Sequence, residues 1–556
     1  MPHDLVLRGG TVVDGSGGPV RTADVAIAGG VIVEVGTVED RGRRELDVRG
    51  AVVTPGFVDV HTHYDGQVTW DDRLQPSSQH GVTTVVMGNC GVGFAPVRPA
   101  EHDQLIELME GVEDLPGTVL HEGLPWTWET IPEYLDVADS RPHDIDFAAQ
   151  VCHGPLRLYV MGQRGADGQP PTPEEIDEMG RLAAMGIAAG ALGFSTSRTL
   201  NHRTSRGAPT PSLNAGRSEL VGIARAVGAT GTGVLQVISD LTDFDGEMAT
   251  FYEMMRASGR PLSLSVGQQQ PGDGYRRTLR AIEEANAQGL QMTAVVAPRA
   301  IGVLIALNGS KNPWAKSSTF HASPDLADPE VKRRILAETA EQGGTGLPLD
   351  LVFELGDPPD YEPAATSSVE ARAQREGRPA DDVLYDLLLT GPAYLPVLNF
   401  FAGDLDAAGE MLGHPNAVPG LGDGGAHVAT ICDASFPTTL LTYWARDRDR
   451  SRPPTFDLSW AIARQCRATA QTVGLHDRGL LAPGLKADVN VIDFERLTAR
   501  APRIVADLPA GGRRVLQPAD GYRHTFVSGV EVYADGAPTG ELPGRLVRGS
   551  RSPVVR

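Results

Sequence analysis

Short apolar runs that end in Gly or polar residues alternate with helix-like stretches through the middle of the chain. Near-continuous apolar strands alternating with helices are typical of a parallel sheet that is buried on both faces. The candidate strands lie at 56–61, 83–87, 147–152, 192–195, 234–238, 262–266, 292–296 and 418–422. Because eight strands are what a closed α/β barrel needs, the pattern predicts a (β/α)8 barrel of the TIM type over residues 56–479.

Both ends of the chain have a different texture. Residues 4–55 and 485–535 contain short apolar runs broken by Gly and Asp, a pattern that predicts hairpin-forming strands. Neither end has enough strands to bury a core alone. We therefore expect residues 1–55 and 480–556 to combine into one small β-sandwich-like domain built from both termini.

Helix signals and one unusual stretch complete the middle of the chain. Thr172, Pro173 and Glu175 form a capping-box pattern before apolar residues at helical spacing, and two more helices are expected at 219–229 and 458–473. Residues 340–380 are rich in Gly, Pro and Ser instead. We interpret this stretch as an insertion that forms a lid, a subunit contact or a solvated loop.

The net charge of the chain limits the kinds of partner that it is expected to bind. Lys and Arg number 49 against 71 Asp and Glu, which gives a net charge of −22 over 556 residues. Such a field repels nucleic acid and anionic membrane surfaces, so we expect a small-molecule substrate. We expect a cytoplasmic protein, because the sequence shows neither a secretory signal nor a membrane-spanning segment. The four widely spaced cysteines do not suggest a disulfide framework. Homo-oligomer formation is compatible with the sequence.

A metal site is predicted at one end of the barrel. His61 and His63 follow the first strand two residues apart, so both imidazoles point to the same face. Asp423 ends the eighth strand, which a barrel places beside the first. Two imidazoles and one carboxylate form a zinc site that leaves a position open for water. Asp423 is also the candidate catalytic residue, since a carboxylate beside that water can take up and return its proton.

Four further residues are expected at the same mouth. Cys90 follows the second strand and is either a metal ligand or a small buried apolar residue. Arg198 and His202 follow the fourth strand, and Arg299 follows the seventh. We interpret these three as candidate substrate-binding residues, with solvated loop residues as the alternative.

Five motifs together carry a resemblance to a known family. The motifs are FVDVHTH (57–63), GNCG (88–91), CHGPLR (152–157), GFST (193–196) and RGLLAPGLKAD (478–488). From about residue 4 to residue 548 the chain resembles the amidohydrolase superfamily, and more narrowly its D-aminoacylase (N-acyl-D-amino-acid deacylase) branch. The resemblance implies a distorted TIM barrel with a small β domain and a metal position formed by His61, His63 and Asp423. It places Cys90 where most members have a carboxylated lysine between two metals.

The chain departs from that branch in two places. The branch has a histidine ligand on strand 5 and another at the end of strand 6, whereas here the strands read VLQVI and end in VGQQQ, with Gln236 and Gln268. Glutamine is a weak zinc ligand, so we expect one tight zinc ion and a second that is weak or absent. We count both glutamines among the candidate substrate-binding residues. The basic anchor for a substrate carboxylate is replaced by DASFPT at 433–438.

The resemblance implies a metal-dependent hydrolase that cleaves an amide C–N bond of a small molecule. Deacylation of an N-acyl-D-amino acid is the leading substrate hypothesis. The alternatives are a cyclic amide or lactone hydrolase, a metal-dependent lyase or isomerase, and a homologue that binds a ligand without catalysis. The presence of His61, His63, Cys90 and Asp423 together favours an enzyme.

Overall fold

Eight parallel strands form one curled sheet in the computed structural model, which describes residues 3–449 and 451–550. Each strand is hydrogen-bonded to the next one along the chain, and we number them 1 to 8 in that order. Their bounds are Phe57–Asp59, Val82–Met87, Asp146–Cys152, Gly193–Arg198, Val234–Ser239, Leu262–Val266, Met292–Val296 and Ala417–Pro419. All eight predicted strands are confirmed with small shifts at their ends. The apolar runs form strands here because both faces of this sheet are covered.

The first and last strands meet where they end. Thr62 and Gly424 form an isolated parallel bridge. The backbone N–H of His63 donates to the carbonyl of Gly424 at 2.8 Å, and that of Asp423 donates to the carbonyl of His61 at 3.2 Å. These contacts curl the mixed α/β fold into a form consistent with a distorted TIM barrel, and they bring residues 61 and 423 together.

Helices connect the strands and cover the sheet. In the helix Pro173–Ala189 the predicted capping box is confirmed, because the Thr172 side chain accepts from the backbone of Glu175 and Glu175 accepts from the backbone of Thr172. The predicted 219–229 helix is observed as Arg217–Ala229, and residues 458–472 form three successive helical segments. The other α-helices are His102–Glu113, Gly117–Gly123, Ile131–Asp139, His153–Met161, Gln163–Ala166, Phe244–Ser258, Gly274–Ala287, Ser318–Ala322, Pro329–Glu341, Val369–Glu376, Ala380–Thr390, Asp406–Gly413 and Phe436–Thr439. Within the described residues, none of the helices has the length and apolar character needed to cross a lipid bilayer.

A second sheet is built from both ends of the chain. Its strands are His3–Val12, Arg21–Ala28, Val31–Gly36, Gly42–Asp47, Val52–Pro55, Val489–Ile492, Tyr522–Val527, Val530–Ala534 and Ala537–Pro538. The two ends join where Val53 lies opposite Val491 in an antiparallel pair. Val53, Val491 and Phe526 are fully buried in the same apolar cluster. The N-terminal and C-terminal strands therefore share a core, whereas the division of the chain into two domains stays a prediction.

The insertion between strands 7 and 8 extends beyond the stretch 340–380 that its unusual composition marks. Strands Ile301–Ile305, Phe353–Glu354 and Ala393–Leu398 form an antiparallel sheet of their own. Helices of the same segment pack against this sheet, and Trp314 and Tyr385 lie in the apolar cluster between them. The stretch 340–380 is thus one part of a packed insertion.

A buried ion cluster joins the two sheets. Arg478 donates to Asp146, at the start of strand 3, at 2.7 Å and pairs with Asp477 at 2.8 Å. Lys486 lies 3.0 Å from Asp146 and 2.5 Å from Asp488. Burial disfavours the ionised form of Asp146, but Lys486 and Arg478 outweigh burial and hold the pKa of this carboxyl below its usual value. Asp146 therefore keeps these two partners only while the two sheets stay docked.

Replacing Arg478 with Met is expected to destabilise the protein by about 3 kcal/mol, at the low end for breaking a buried ion pair because Lys486 still faces Asp146. Urea unfolding measures the loss. Arg496→Met is the control, since Arg496 is 85% exposed and lies 3.9 Å from Asp493. Equal stability of the two variants would show that the cluster adds nothing to the folded state.

Candidate active site

Three metal-ligating side chains converge at the carboxyl ends of the parallel strands. The donor atoms of His61, His63 and Cys90 lie within 4.8 Å of one another, and all three residues are buried. Cys90 Sγ lies 3.3 Å from His61 Nε2. The two imidazoles meet edge to face, with 5.4 Å between ring centroids. The parallel pairing of strands 1 and 2 therefore brings this donor set together at their carboxyl ends.

The fourth predicted ligand lies beside both imidazoles. Asp423 Oδ1 is 3.5 Å from His61 Nε2 and 3.7 Å from His63 Nε2. These separations are long for hydrogen bonds. They match the roughly 3.3–3.8 Å between neighbouring ligand atoms around a tetrahedral zinc ion with bonds of ~2.0–2.3 Å. Asp423 thus lies beside the two imidazoles of the His61, His63 and Cys90 group, and the types of donor present fit a zinc ion.

The charge balance of the site also favours a cation. Burial lowers the pKa of His61 to about 4 and raises that of the Cys90 thiol to about 12. Burial would also lower the pKa of His63, but the carboxylates of Glu113 and Asp423 outweigh it and raise that pKa well above its usual value. Burial disfavours ionised Asp423 as well, yet contact with His63 and the charge of His61 hold its pKa below the usual range. A buried negative field of this kind stabilises either a proton or a metal ion.

Unusual backbone conformations set the directions of several side chains at this site. Cys90, Asp423 and His427 have positive φ angles of 56°, 45° and 48°, which non-glycine residues seldom adopt. Gly425, at φ +90°, lies so close to the chain after strand 1 that a Cβ would come within 2.7 Å of the His63 carbonyl oxygen. The surrounding packing therefore holds a strained loop in place, as is common at functional sites.

Two residues of the site were missed by the sequence analysis. Glu113, at the end of helix His102–Glu113, lies 3.3 Å from His63 Nδ1, and its other oxygen lies 3.9 Å from His427 Nε2. Glu113 is 2% exposed. A signal was present, because Glu113 follows Leu105 and Met109 at four-residue spacing on the apolar side of its helix. His427 stands four residues after Asp423 in the same loop.

His202 and Gln236, two of the five predicted substrate-binding residues, lie near the candidate metal ligands. His202 Nδ1 lies 2.9 Å from Ser197 Oγ, and burial together with the charges of His427 and His63 lowers its pKa to about 3. Gln236 is buried in strand 5, and its Oε1 accepts from the backbone N–H of Cys90 at 3.0 Å.

Gln268 lies elsewhere on the rim, beside a cleft of about 540 Å³ formed after strands 5 and 6. Its side-chain Nε2 donates to the carbonyl of Gly272 at 2.9 Å, and its backbone N–H donates to Asn399 Oδ1 at 2.7 Å. The side-chain amide thus helps to shape the loop after strand 6.

Both candidate arginines are held by carboxylates. Arg198 binds Glu247 through two nitrogens at 2.7 and 2.5 Å. Arg299 is 1% exposed, donates to Asp433 at 2.8 Å and lies 3.7 Å from the ring centre of Tyr361. A contact of either guanidinium with a substrate stays a prediction.

Comparisons with known proteins agree with this geometry. The model of the amidohydrolase family matches residues 44–352 and 391–533, and the unmatched 353–390 lie in the insertion. A D-aminoacylase of Alcaligenes xylosoxydans xylosoxydans is 29% identical over 563 residues, covering 98% of each chain. A D-aminoacylase structure solved to study its binuclear metal centre is 25% identical, with a TM-score of 0.67 over 99% of this chain and all of that one. An N-acyl-D-glutamate deacylase from Bordetella bronchiseptica, complexed with zinc and a phosphonate inhibitor, is 25% identical, with a TM-score of 0.65 over 99% of this chain and all of that one.

The sequence motifs, the converging ligands and the family match agree. The resemblance inferred from the sequence is thereby confirmed, and so is the prediction of an enzyme. With a family match that spans most of its length, the chain belongs to the amidohydrolase family.

Proposed function

We propose that the protein is a zinc-dependent hydrolase that deacylates N-acyl-D-amino acids. The observation that carries this proposal is the convergence of His61, His63 and Cys90 at the strand ends, with Asp423 beside both imidazoles. Full-length similarity to a D-aminoacylase and to an N-acyl-D-glutamate deacylase complexed with zinc supports both the metal and the substrate class. A distorted TIM barrel with a small β domain is the architecture that goes with this proposal. A cytoplasmic location and homo-oligomer formation stay predictions.

Each side chain has a distinct role in the proposed reaction. His61, His63 and Cys90 would hold the ion, which when bound supplies a Lewis acid that polarises the scissile carbonyl and acidifies water. The Asp423 carboxylate, ionised because its pKa is held low, accepts a proton from the attacking water and returns it to the leaving nitrogen. His202 is neutral and offers a hydrogen bond to the bound substrate. The products are a carboxylate and a free amine.

We further propose that one ion binds tightly. A second ion would need oxygen ligands from Gln236 and Gln268, but the Gln236 oxygen already accepts a hydrogen bond from the Cys90 backbone. Neutral amide oxygens are weak zinc ligands beside an existing dication. A single tight ion would distinguish the protein from a D-aminoacylase described by its binuclear metal centre.

The metal count is directly measurable. Purified protein is expected to retain about one equivalent of zinc after mild dialysis, because only one position has two imidazoles. Elemental analysis gives the value. Two tightly held ions in the unmodified protein would contradict the proposal of a single tight site.

The activity test uses paired enantiomers. Zinc-loaded protein is incubated with a panel of N-acetyl-D-amino acids, and the matched N-acetyl-L-amino acids serve as controls. Release of acetate and free amine from the D series is expected, and mass analysis separates hydrolysis from a lyase or isomerase reaction. Failure to hydrolyse any D substrate at full zinc occupancy would contradict the proposed substrate class.

One observation favours a second candidate function, hydrolysis of a cyclic amide or a lactone. Arg198 and Arg299 both pair with protein carboxylates, so neither guanidinium stands free to bind a substrate carboxylate. Cyclic amides and lactones need no such anchor. A cyclic imide and a lactone added to the same panel distinguish the two candidates, because ring opening without activity on N-acyl-D-amino acids would favour the second.

A further inference from the structure

The carboxylate of Glu113 faces two imidazoles from inside the protein. One oxygen lies 3.3 Å from Nδ1 of His63, the ring nitrogen other than the one that faces Asp423. The second oxygen lies 3.9 Å from Nε2 of His427, whose side chain is 31% exposed. Glu113 thus stands between a proposed metal ligand and a residue that reaches the surface of the site.

The polypeptide fixes this arrangement from both sides. The backbone N–H of His427 donates to the carbonyl of Glu113 at 2.5 Å, and Thr430 Oγ1 donates to Asp114 Oδ2 at 3.0 Å. Asp114 ends the helix in a left-handed conformation at φ 51°. The helix end and the loop after strand 8 therefore form one unit, so that the position of Glu113 is coupled to that of His427.

Two buried polar atoms in this contact lack other partners. Among the described residues, neither His63 Nδ1 nor Glu113 Oε1 has a hydrogen-bond partner. Buried polar atoms of this kind call for an explanation, because desolvation without a partner is costly. The two atoms lie 3.3 Å apart, so a proton on Nδ1 would place an N–H group beside the carboxylate. It also leaves the lone pair of the His63 ring on Nε2, the nitrogen next to Asp423.

We propose that Glu113 is a positioning residue that keeps the proton of His63 on Nδ1, so that Nε2 is the metal-binding atom, and that holds His427 in place. This inference rests on the proposed zinc site. Carboxylates that accept a hydrogen bond from a metal-bound histidine fix its tautomer and the orientation of its ring. Glu113 belongs to no motif that carried the family resemblance, and the structure alone places it here.

Zinc affinity tests the proposal without an activity assay. Glu113→Gln keeps the shape of the side chain and removes its charge, and its zinc dissociation constant is measured by competition with a chelator. We expect the constant to rise by about 10–100-fold, as is typical when an outer partner of a histidine ligand is lost. Glu110→Gln is the matched control. It lies on the same helix, loses the same charge and instead accepts a hydrogen bond from the backbone of Gly117.

A second measurement reports on the tautomer itself. Nitrogen chemical shifts of labelled histidine in the zinc-loaded protein are expected to show His63 protonated on Nδ1 in the unmodified chain and in Glu110→Gln. In Glu113→Gln we expect this signal to change. An unchanged zinc constant or an unchanged His63 tautomer in Glu113→Gln would overturn the proposal.

Failure of the inference is distinguishable from failure of the proposed function. If the unmodified protein binds no zinc, the proposed metal site is wrong and the inference falls with it. If the unmodified protein binds zinc and Glu113→Gln binds it equally tightly, only the role of Glu113 is wrong. Should Glu113→Gln not fold, Glu113→Asp keeps the charge but withdraws it from His63. A weaker zinc constant for that variant supports the proposal, and an unchanged constant overturns it.

Discussion

Replacing Asp423 with Asn is expected to lower turnover by about 10²–10⁴-fold, the range typical of lost general acid–base catalysis. Asn has nearly the same shape but cannot accept the proton of water or return it to a leaving nitrogen. The ion keeps three donors, His61, His63 and Cys90, so the loss should fall mainly on turnover. Steady-state kinetics on the best substrate of the panel, at saturating zinc, gives the ratio.

The control for this substitution is Asp457→Asn. Asp457 is exposed at the start of helix Leu458–Ala463, and its side chain makes no capping hydrogen bond there. The control makes the same Asp-to-Asn change at a position distant in sequence from the candidate metal ligands. Turnover within about twofold of the unmodified protein is expected for this control, since it removes no acid–base group from the reaction. Near-normal turnover of Asp423→Asn would remove Asp423 from the mechanism.

The convergence of the candidate metal ligands was predictable because strand geometry places them at one edge of the sheet. Residues two apart on a strand share a face, and the carboxyl ends of parallel strands share an edge, so the pattern around His61 and Asp423 carried enough information. The eight apolar runs supplied the topology that joins residues so distant in sequence. Backbone hydrogen bonds join the chain after strand 1 to the loop after strand 8, as this topology requires.

The partners of the buried charges were not predictable from the same pattern. Arg299 and Arg198 follow strands at the expected mouth, but the pattern does not show that Asp433 and Glu247 lie against them. Such pairs depend on how loops pack, and loops carry no periodicity. Glu113 was missed for a related reason. A glutamate at a helix end is usually solvated, and only its place on the apolar stripe distinguished it.

In the insertion, amino-acid composition was a poor guide to the structure. Residues 340–380 contain the Gly, Pro and Ser typical of loops, yet this stretch includes helix Val369–Glu376 and part of an apolar cluster. Two of the large side chains of that cluster, Trp314 and Tyr385, lie outside the stretch in sequence. A window limited to the unusual composition therefore lacked the residues that give the insertion its core.

Replacing His61 with Ala is expected to abolish tight zinc binding and, with it, hydrolysis. His61 Nε2 lies 3.3 Å from Cys90 Sγ and 3.5 Å from Asp423 Oδ1. Its removal leaves one imidazole, a thiol whose pKa burial raises to about 12, and a carboxylate. Zinc must displace the proton of this thiol in order to bind it. With one imidazole fewer to hold the ion, less binding energy is available for that step.

The zinc dissociation constant of His61→Ala should therefore rise by more than the roughly 10–100-fold caused by losing an outer partner of a histidine ligand. Competition with a chelator measures the constant, and elemental analysis after dialysis should find the metal lost. His121→Ala is the matched control, since His121 is exposed on helix Gly117–Gly123. It removes an equal imidazole and should keep about one equivalent. Because the single-site proposal gives the ion no second pair of histidines, a His61→Ala variant that still holds zinc tightly would mean that the tight ion uses other ligands.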